Sequence, residues 1–263
     1  MKLLELNQFR MDKDVYFMEV FPGKIVINDD YEGIMVLDDQ LNVIETIGVE
    51  DIVIDASFKN AATKELAVFF HDDKRLFYFN FDSMTCQECN VKEDIPVLSK
   101  YYVWGSDEVI FATYDEDFYR YSMKENKFAK IEQTYVKDQY ESFYLFWSET
   151  KDLPVVRYDM DQLEIIVNTR NNRYYAYQSD QDKVYLKSNY KPHDVEYSGE
   201  AAMFIQENII ELTAESNQMT LEPGDQMTFL RGRFLSPDKI AVLSSHNDDL
   251  LSQINIYQLT DET

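Results

Sequence analysis

Short runs rich in Val, Ile, Tyr and Phe recur along this 263-residue chain in a fixed order, and that recurrence limits the fold more than any single motif. "KIVIN" (24–28), "GIMVLD" (33–38), "NVIETI" (42–47) and "DIVIDASF" (51–58) follow one another, separated by polar turns. The order returns as "LAVFF" (66–70), "RLFYFN" (75–80), "TCQECNV" (85–91) and "LSKYYVW" (98–104), then from "VIFATY" (109–114). Looser copies open with "LPVVRY" (153–158), "AAMFIQ" (201–206) and "KIAVLS" (239–244). The openings at Lys24, Leu66, Val109, Leu153, Ala201 and Lys239 lie 42, 43, 44, 48 and 38 residues apart.

A four-stranded unit repeated every ~40–45 residues is the pattern of a β-propeller blade. One twisted sheet cannot bury both its faces alone, but it can when packed against like sheets. The expectation is an all-β chain: a single β-propeller domain over 1–263, with six four-stranded blades. The last copy stops one strand short after "QINIYQL" (253–259), while "KLLEL" (2–6) stands one strand extra at the start. Pairing of these two segments would close the last blade. The pattern resembles WD40-like or related bacterial propellers over essentially the whole chain. It lacks a Trp-Asp signature, since Trp104 precedes Gly and Trp147 precedes Ser, so the resemblance carries no functional residues. A pair of β-sandwiches is the rival fold. Residues 140–190 hold five strand-like runs, "SFYLFW" first, where a blade needs four.

Hydrophobic residues make up 45% of the chain, enough for a sizeable core, and 7 Gly with 6 Pro leave no low-complexity linker. The net charge of −24 disfavours nucleic acid and anionic membranes as partners. The N-terminal apolar run is broken by Glu5, unlike a signal peptide, and no stretch approaches ~18 apolar residues. Two cysteines do not make a disulfide framework, which points to the cytoplasm.

The acidic residues concentrate in the turns that join the second and third strands of each unit. Asn28–Glu32, His71–Lys74, Asp115–Asp117, Asp159–Gln162, Gln206–Asn208 and His246–Asp249 together carry 13 acidic residues against one base, Lys74. Fourth-strand connections, with Asp194 and Glu196 among them, would add to the same end. Turn chemistry alone favours Asp and Asn at such places. The sharper expectation is an acidic face formed by Asp29, Asp30, Glu32, Asp72, Asp73, Asp115, Glu116, Asp117, Asp248 and Asp249, fitted to a basic protein partner.

"NDDYEG" (28–33) begins like a calcium loop, but Val36 and Asp39 fill the ninth and twelfth positions and a β-run starts at once, so a hairpin turn is expected. His71 and His246 occupy equivalent turns and are candidate metal ligands on residue type. "CQEC" (86–89) lacks the further ligands of a zinc site and a helix N-terminus to activate a thiol. No phosphate-cradling glycine loop and no GxSxG occurs. The reading is a non-enzymatic interaction module with no catalytic residue and no cofactor. A metal-dependent hydrolase or lyase using His71 and His246 is the alternative.

Overall fold

The computed structural model describes residues 2–71, 73–91, 97–153, 155–159, 164–168, 173–178, 181–187, 192–198, 201–214 and 217–260, with backbone alone for 155–187 and for residues 90 and 214. β1 (Lys2–Met11) leads into β2 (Met18–Phe21), β3 (Lys24–Asn28), β4 (Gly33–Leu37) and β5 (Val43–Gly48). Next come β6 (Ala56–Asn60), β7 (Glu65–Phe70), β8 (Arg75–Asn80) and β9 (Thr85–Asn90). β10 (Leu98–Trp104), β11 (Glu108–Thr113), β12 (Phe118–Ser122) and β13 (Lys127–Ile131) precede two helices, α1 (Gln133–Gln139) and α2 (Glu141–Thr150). β14 (Val155–Asp159), β15 (Glu164–Asn168), β16 (Arg173–Gln178) and β17 (Gln181–Lys187) follow. The rest is β18 (Asp194–Ser198), β19 (Ala201–Gln206), β20 (Ile209–Ala214), β21 (Asn217–Leu221), β22 (Met227–Ser236), β23 (Lys239–His246) and β24 (Ser252–Thr260).

From β2 to β21 each successive set of four strands forms one sheet in chain order, and a further sheet runs β1-β24-β23-β22. β1 pairs antiparallel with β24 from Lys2–Thr260 to Met11–Ser252, which is the pairing expected of "KLLEL". The repeat nevertheless starts one strand earlier than the apolar runs suggest. Met18–Phe21 opens the first sheet, and the end of the 51–58 run, Ala56–Asn60, opens the next. "SFYLFW" is helical: Phe143, Phe146, Trp147 and Thr150 are buried at i, i+3, i+4 and i+7. Aromatic composition suggested a strand there, and the polar Thr150 hid the helical period.

Contact density divides the chain into two compact units. The first comprises 1–52, 168–176 and 183–263. Its last sheet is covered on both faces, so "IAVL" (240–243) is apolar throughout. Ala241 and Leu243 pack with Ile25, Ile27 and Leu37 of the first sheet. Ile240 and Val242 pack with Met203, Ile205 and Leu212 of the β18–β21 sheet. Period-two alternation thus sends neighbouring residues into different cores. Gly232 sits where a Cβ would lie 2.7 Å from Met203 Sδ, so it lets β22 approach β19.

Between these sheets lies a buried ion cluster that the acidic-rim reading did not foresee. Arg233 on β22 is held by both oxygens of Glu19 on β2, at 3.0 and 3.3 Å, and donates to Asp194 on β18 at 2.6 Å. Glu196 stands 3.7 Å away. Asp194 and Glu196 therefore lie within β18, the first strand of its sheet, and face a guanidinium. Burial alone would lower the pKa of Arg233, but the Asp194, Glu19 and Glu196 carboxylates outweigh it and raise it well above its ordinary value. Burial also lowers that of neighbouring Arg231. Within the Arg231-Gly232-Arg233 stretch, Arg233 is an internal counterweight to the acidic strands.

The second unit comprises 53–167 and 177–182. Phe58, Phe69, Phe111, Tyr121 and Phe128 fill the space between the β6–β9 and β10–β13 sheets. Phe58 and Phe111 meet edge to face at 4.7 Å. On the other face of the β10–β13 sheet, Ile110, Ala112 and Phe118 pack under the helices with Val136, Phe143, Phe146 and Trp147. Glu108 docks this helical pair by accepting from the hydroxyls of Tyr135 at 2.7 Å and Tyr140 at 2.8 Å. Gly105 is required there, since a Cβ would stand 2.2 Å from the Tyr140 hydroxyl oxygen.

Arg233→Met leaves Glu19, Asp194 and Glu196 buried without their guanidinium, and urea denaturation is expected to show a loss of about 3–5 kcal/mol. A midpoint unchanged from wild type would contradict the cluster. Burial pushes the phenols of Tyr78, Tyr101 and Tyr257 up to about 12. A raised folded pKa gives stability that is complete below the unfolded value of about 10 and is lost as pH rises through about 12. Absorbance titration near the phenolate band should show these tyrosines ionising together with alkaline unfolding.

Candidate interaction face

The turn after β3 is organised by Asn28, whose side chain is fully buried. Its Oδ1 accepts from the backbone N–H of Tyr16 at 3.0 Å and Phe17 at 2.9 Å. Its Nδ2 donates to the carbonyls of Asp14 at 2.7 Å and Asp30 at 2.9 Å. The amide is thereby saturated, with no oxygen lone pair left for a cation. Asp29 is buried as well and holds Lys13 Nζ at 2.5 Å, a hydrogen bond that raises the lysine pKa. Asp30 takes a left-handed conformation, φ 55°. Gly33 is fixed by close approach: a Cβ there would lie 2.2 Å from the Ile47 carbonyl oxygen. The stretch is a hairpin turn stapled to the segment before it.

The turn between β23 and β24 belongs to the same end of this unit. Ser252 Oγ accepts from Val15 N–H at 3.0 Å and donates to the Lys13 carbonyl at 2.8 Å. Residues 13–17 thus bridge the base of one turn at Ser252 to the base of the other at Asn28. His246 serves its own turn. Nδ1 accepts from the N–H groups of Asp248 and Asp249 at 3.2 and 3.1 Å, which places the ring hydrogen on Nε2, 3.2 Å from Gln226 Oε1. With both nitrogens engaged, His246 is poorly suited to bind a metal. Glu32, Asp248 and Asp249 are exposed and Asp30 is half-buried. Tyr31 and Leu250, 45% and 73% exposed, stand at the tips of the two turns. The Tyr31 hydroxyl donates to Asp14 at 2.9 Å.

In the second unit the acidic turns are used differently. His71 is exposed, with its backbone N–H donating to Asp55 Oδ2 at 2.7 Å, and Asp73 is exposed. Asp72 lies outside the described residues, as do 160–162 of the Asp159–Gln162 turn. At 115–117, Glu116 pairs with Lys151 at 2.5 Å and Asp117 with Lys130 at 2.6 Å. Gln133 Nε2 donates to the Glu116 carbonyl at 3.1 Å. This turn seats the helical pair, leaving Asp115 as its exposed carboxylate without an ion pair among the described residues.

Among the described residues no three His, Cys, Asp or Glu side chains gather to hold a metal ion. Cys86 and Cys89 are not joined in a disulfide. Burial and then Glu88 push the Cys86 thiol up to about 12, and burial raises Cys89. Among the described residues, no helix is long and apolar enough to cross a membrane.

No protein-family model matches the chain. No curated protein matches it either. Among solved structures it is similar to the β-propeller domain of Cps50 (Swd1) from Myceliophteria thermophila. The identity is 11% and the TM-score 0.64, over 97% of this chain and 99% of that one. At that identity the likeness concerns the fold alone, and the fold is a β-propeller.

Two outcomes test the local chemistry. Cys86 should resist iodoacetamide at pH 8 in the folded protein, because its thiolate fraction is about 10⁻⁴ at a pKa of about 12, and react promptly in urea. Equal rates would contradict its burial. Asn28→Ala should lower stability by about 2–4 kcal/mol in chemical denaturation, since it strips the partners from four backbone groups.

Proposed function

We propose that the protein is a non-enzymatic interaction module that binds a basic protein segment through the acidic turns of its first and last sheets. What supports this reading is that two turns, both tied at their bases to residues 13–17, expose Glu32, Asp248 and Asp249, with Asp30 half-buried, beside the exposed apolar side chains of Tyr31 and Leu250. Carboxylates at the edge of such a patch steer a cationic partner, while an aromatic and a leucine supply the contact that excludes water. A β-propeller is a scaffold commonly used this way. Asp29 supports the turn through Lys13 and is not a contact residue. Asp73 and Asp115 extend the acidic character in the second unit. The absence of nucleic-acid and membrane partners rests on the −24 charge.

Oligolysine peptides with a central leucine provide the test, titrated by calorimetry. Binding is expected to weaken at least about tenfold between about 50 and about 300 mM salt, as screening shortens the reach of the carboxylates. The triple variant Asp30→Lys, Glu32→Lys, Asp248→Lys should lose binding while keeping its unfolding midpoint. Salt-independent affinity, or a triple variant that binds like wild type, would exclude this face.

A further inference from the structure

A cleft of about 250 Å³ opens in the second unit between the C-terminal end of α2, the start of β10 and the β11–β12 turn. Tyr101, Trp147 and Leu153 line its inner part. The polar atoms that turn inward are already satisfied. The Tyr101 hydroxyl donates to the Thr150 carbonyl at 2.8 Å, and the Ser99 hydroxyl to the Ala112 carbonyl at 2.9 Å. Tyr101, Trp147 and Leu153 offer a guest ring and aliphatic surface beside these polar groups.

The mouth is different. Lys151 Nζ lies 2.5 Å from Glu116 and 5.2 Å from the centre of the Trp147 ring. Lys100 and Asp152 add one charge of each sign. The mouth is therefore charge-balanced, in a chain with 49 acidic against 25 basic side chains. Beside it stand Tyr114 and Val97, 67% and 59% exposed, tied together by the Tyr114 N–H to the Val97 carbonyl at 3.3 Å.

We propose that this cleft seats one bulky apolar side chain from an uncharged, extended segment of a partner protein. Its volume falls below the ~300–1,000 Å³ of pockets that enclose free small ligands, and suits a single anchoring side chain. The charge balance selects the character of the segment. A peptide group presents a donor and an acceptor, which both signs at the mouth can meet, whereas a net charge of either sign would face a like charge. Tyr114 and Val97 extend the apolar contact along the segment. The site is independent of the acidic turns of the first unit and differs from them in chemistry.

The probes are neutral capped amino acids: N-acetyl-tryptophanamide, N-acetyl-leucinamide and N-acetyl-glycinamide, with N-acetyl-tryptophan carrying a free carboxylate. Binding is followed by NMR on the Trp147 indole signal, assigned with Trp104→Phe. The tryptophan and leucine amides are expected to shift that signal saturably, the glycine amide not at all, and the free carboxylate more weakly than its amide. Tyr114→Ala, a change at an exposed position, should weaken binding about tenfold. Salt and the Asp30/Glu32/Asp248 reversal should leave it unchanged, which separates this site from the acidic face. A Trp147 signal untouched by every amide, full affinity in Tyr114→Ala, or affinity that falls with salt would overturn the proposal.

Discussion

Ile240, Ala241, Val242 and Leu243 are all buried, although consecutive residues of a strand point to opposite faces. Such a strand is stable only between two apolar layers. Leaving one face in water would forfeit about 1.5–3 kcal/mol for each large side chain exposed. In the first unit that requirement joins the last sheet to two neighbouring sheets. In the second it explains the helices: the far face of the β10–β13 sheet is covered by Phe143, Phe146 and Trp147. The helical pair is thus part of the core, and Glu108, Gly105 and the Glu116–Lys151 pair fix how it lies.

Apolar burial brings sheets together without fixing their register, and charge adds the missing specificity. Arg233, on one sheet, pairs with strands of two others, and its bidentate contact with Glu19 tolerates little displacement. A cluster of this kind adds little net stability over an apolar substitute, because desolvation offsets attraction. Its effect is to penalise every arrangement in which the carboxylates meet no guanidinium.

The repeat, the all-β class and the pairing of residues 2–6 with the last strand were legible because period-two burial writes itself into apolar runs, although the strand that pairs runs on to Met11. Strand grouping was less so: Met18–Phe21 is only four residues long, and the 51–58 run joins a turn to a strand. α2 was read as a strand because its aromatics have high strand propensity, although Phe143, Phe146 and Trp147 have helical spacing. For the turns, composition gave the charge but not its use. Asn28 and Asp29 look like neighbours of Asp30 in the sequence, yet both are buried structural residues. Nor could spacing reveal that Asp194 and Glu196 share a guanidinium with Glu19, which requires three sheets already in place.

The partner strands β1 and β24 lie far apart along the chain, with Lys2 and Thr260 separated by 258 positions. At ~5–20 residues per second, β1 waits roughly 10–50 seconds on a ribosome before β24 exists. Throughout that interval Leu3 and Phe9, which later pack against the last sheet, have no partner from it. The nascent chain therefore carries an unprotected apolar strand throughout that interval, until β24 arrives to pair with it.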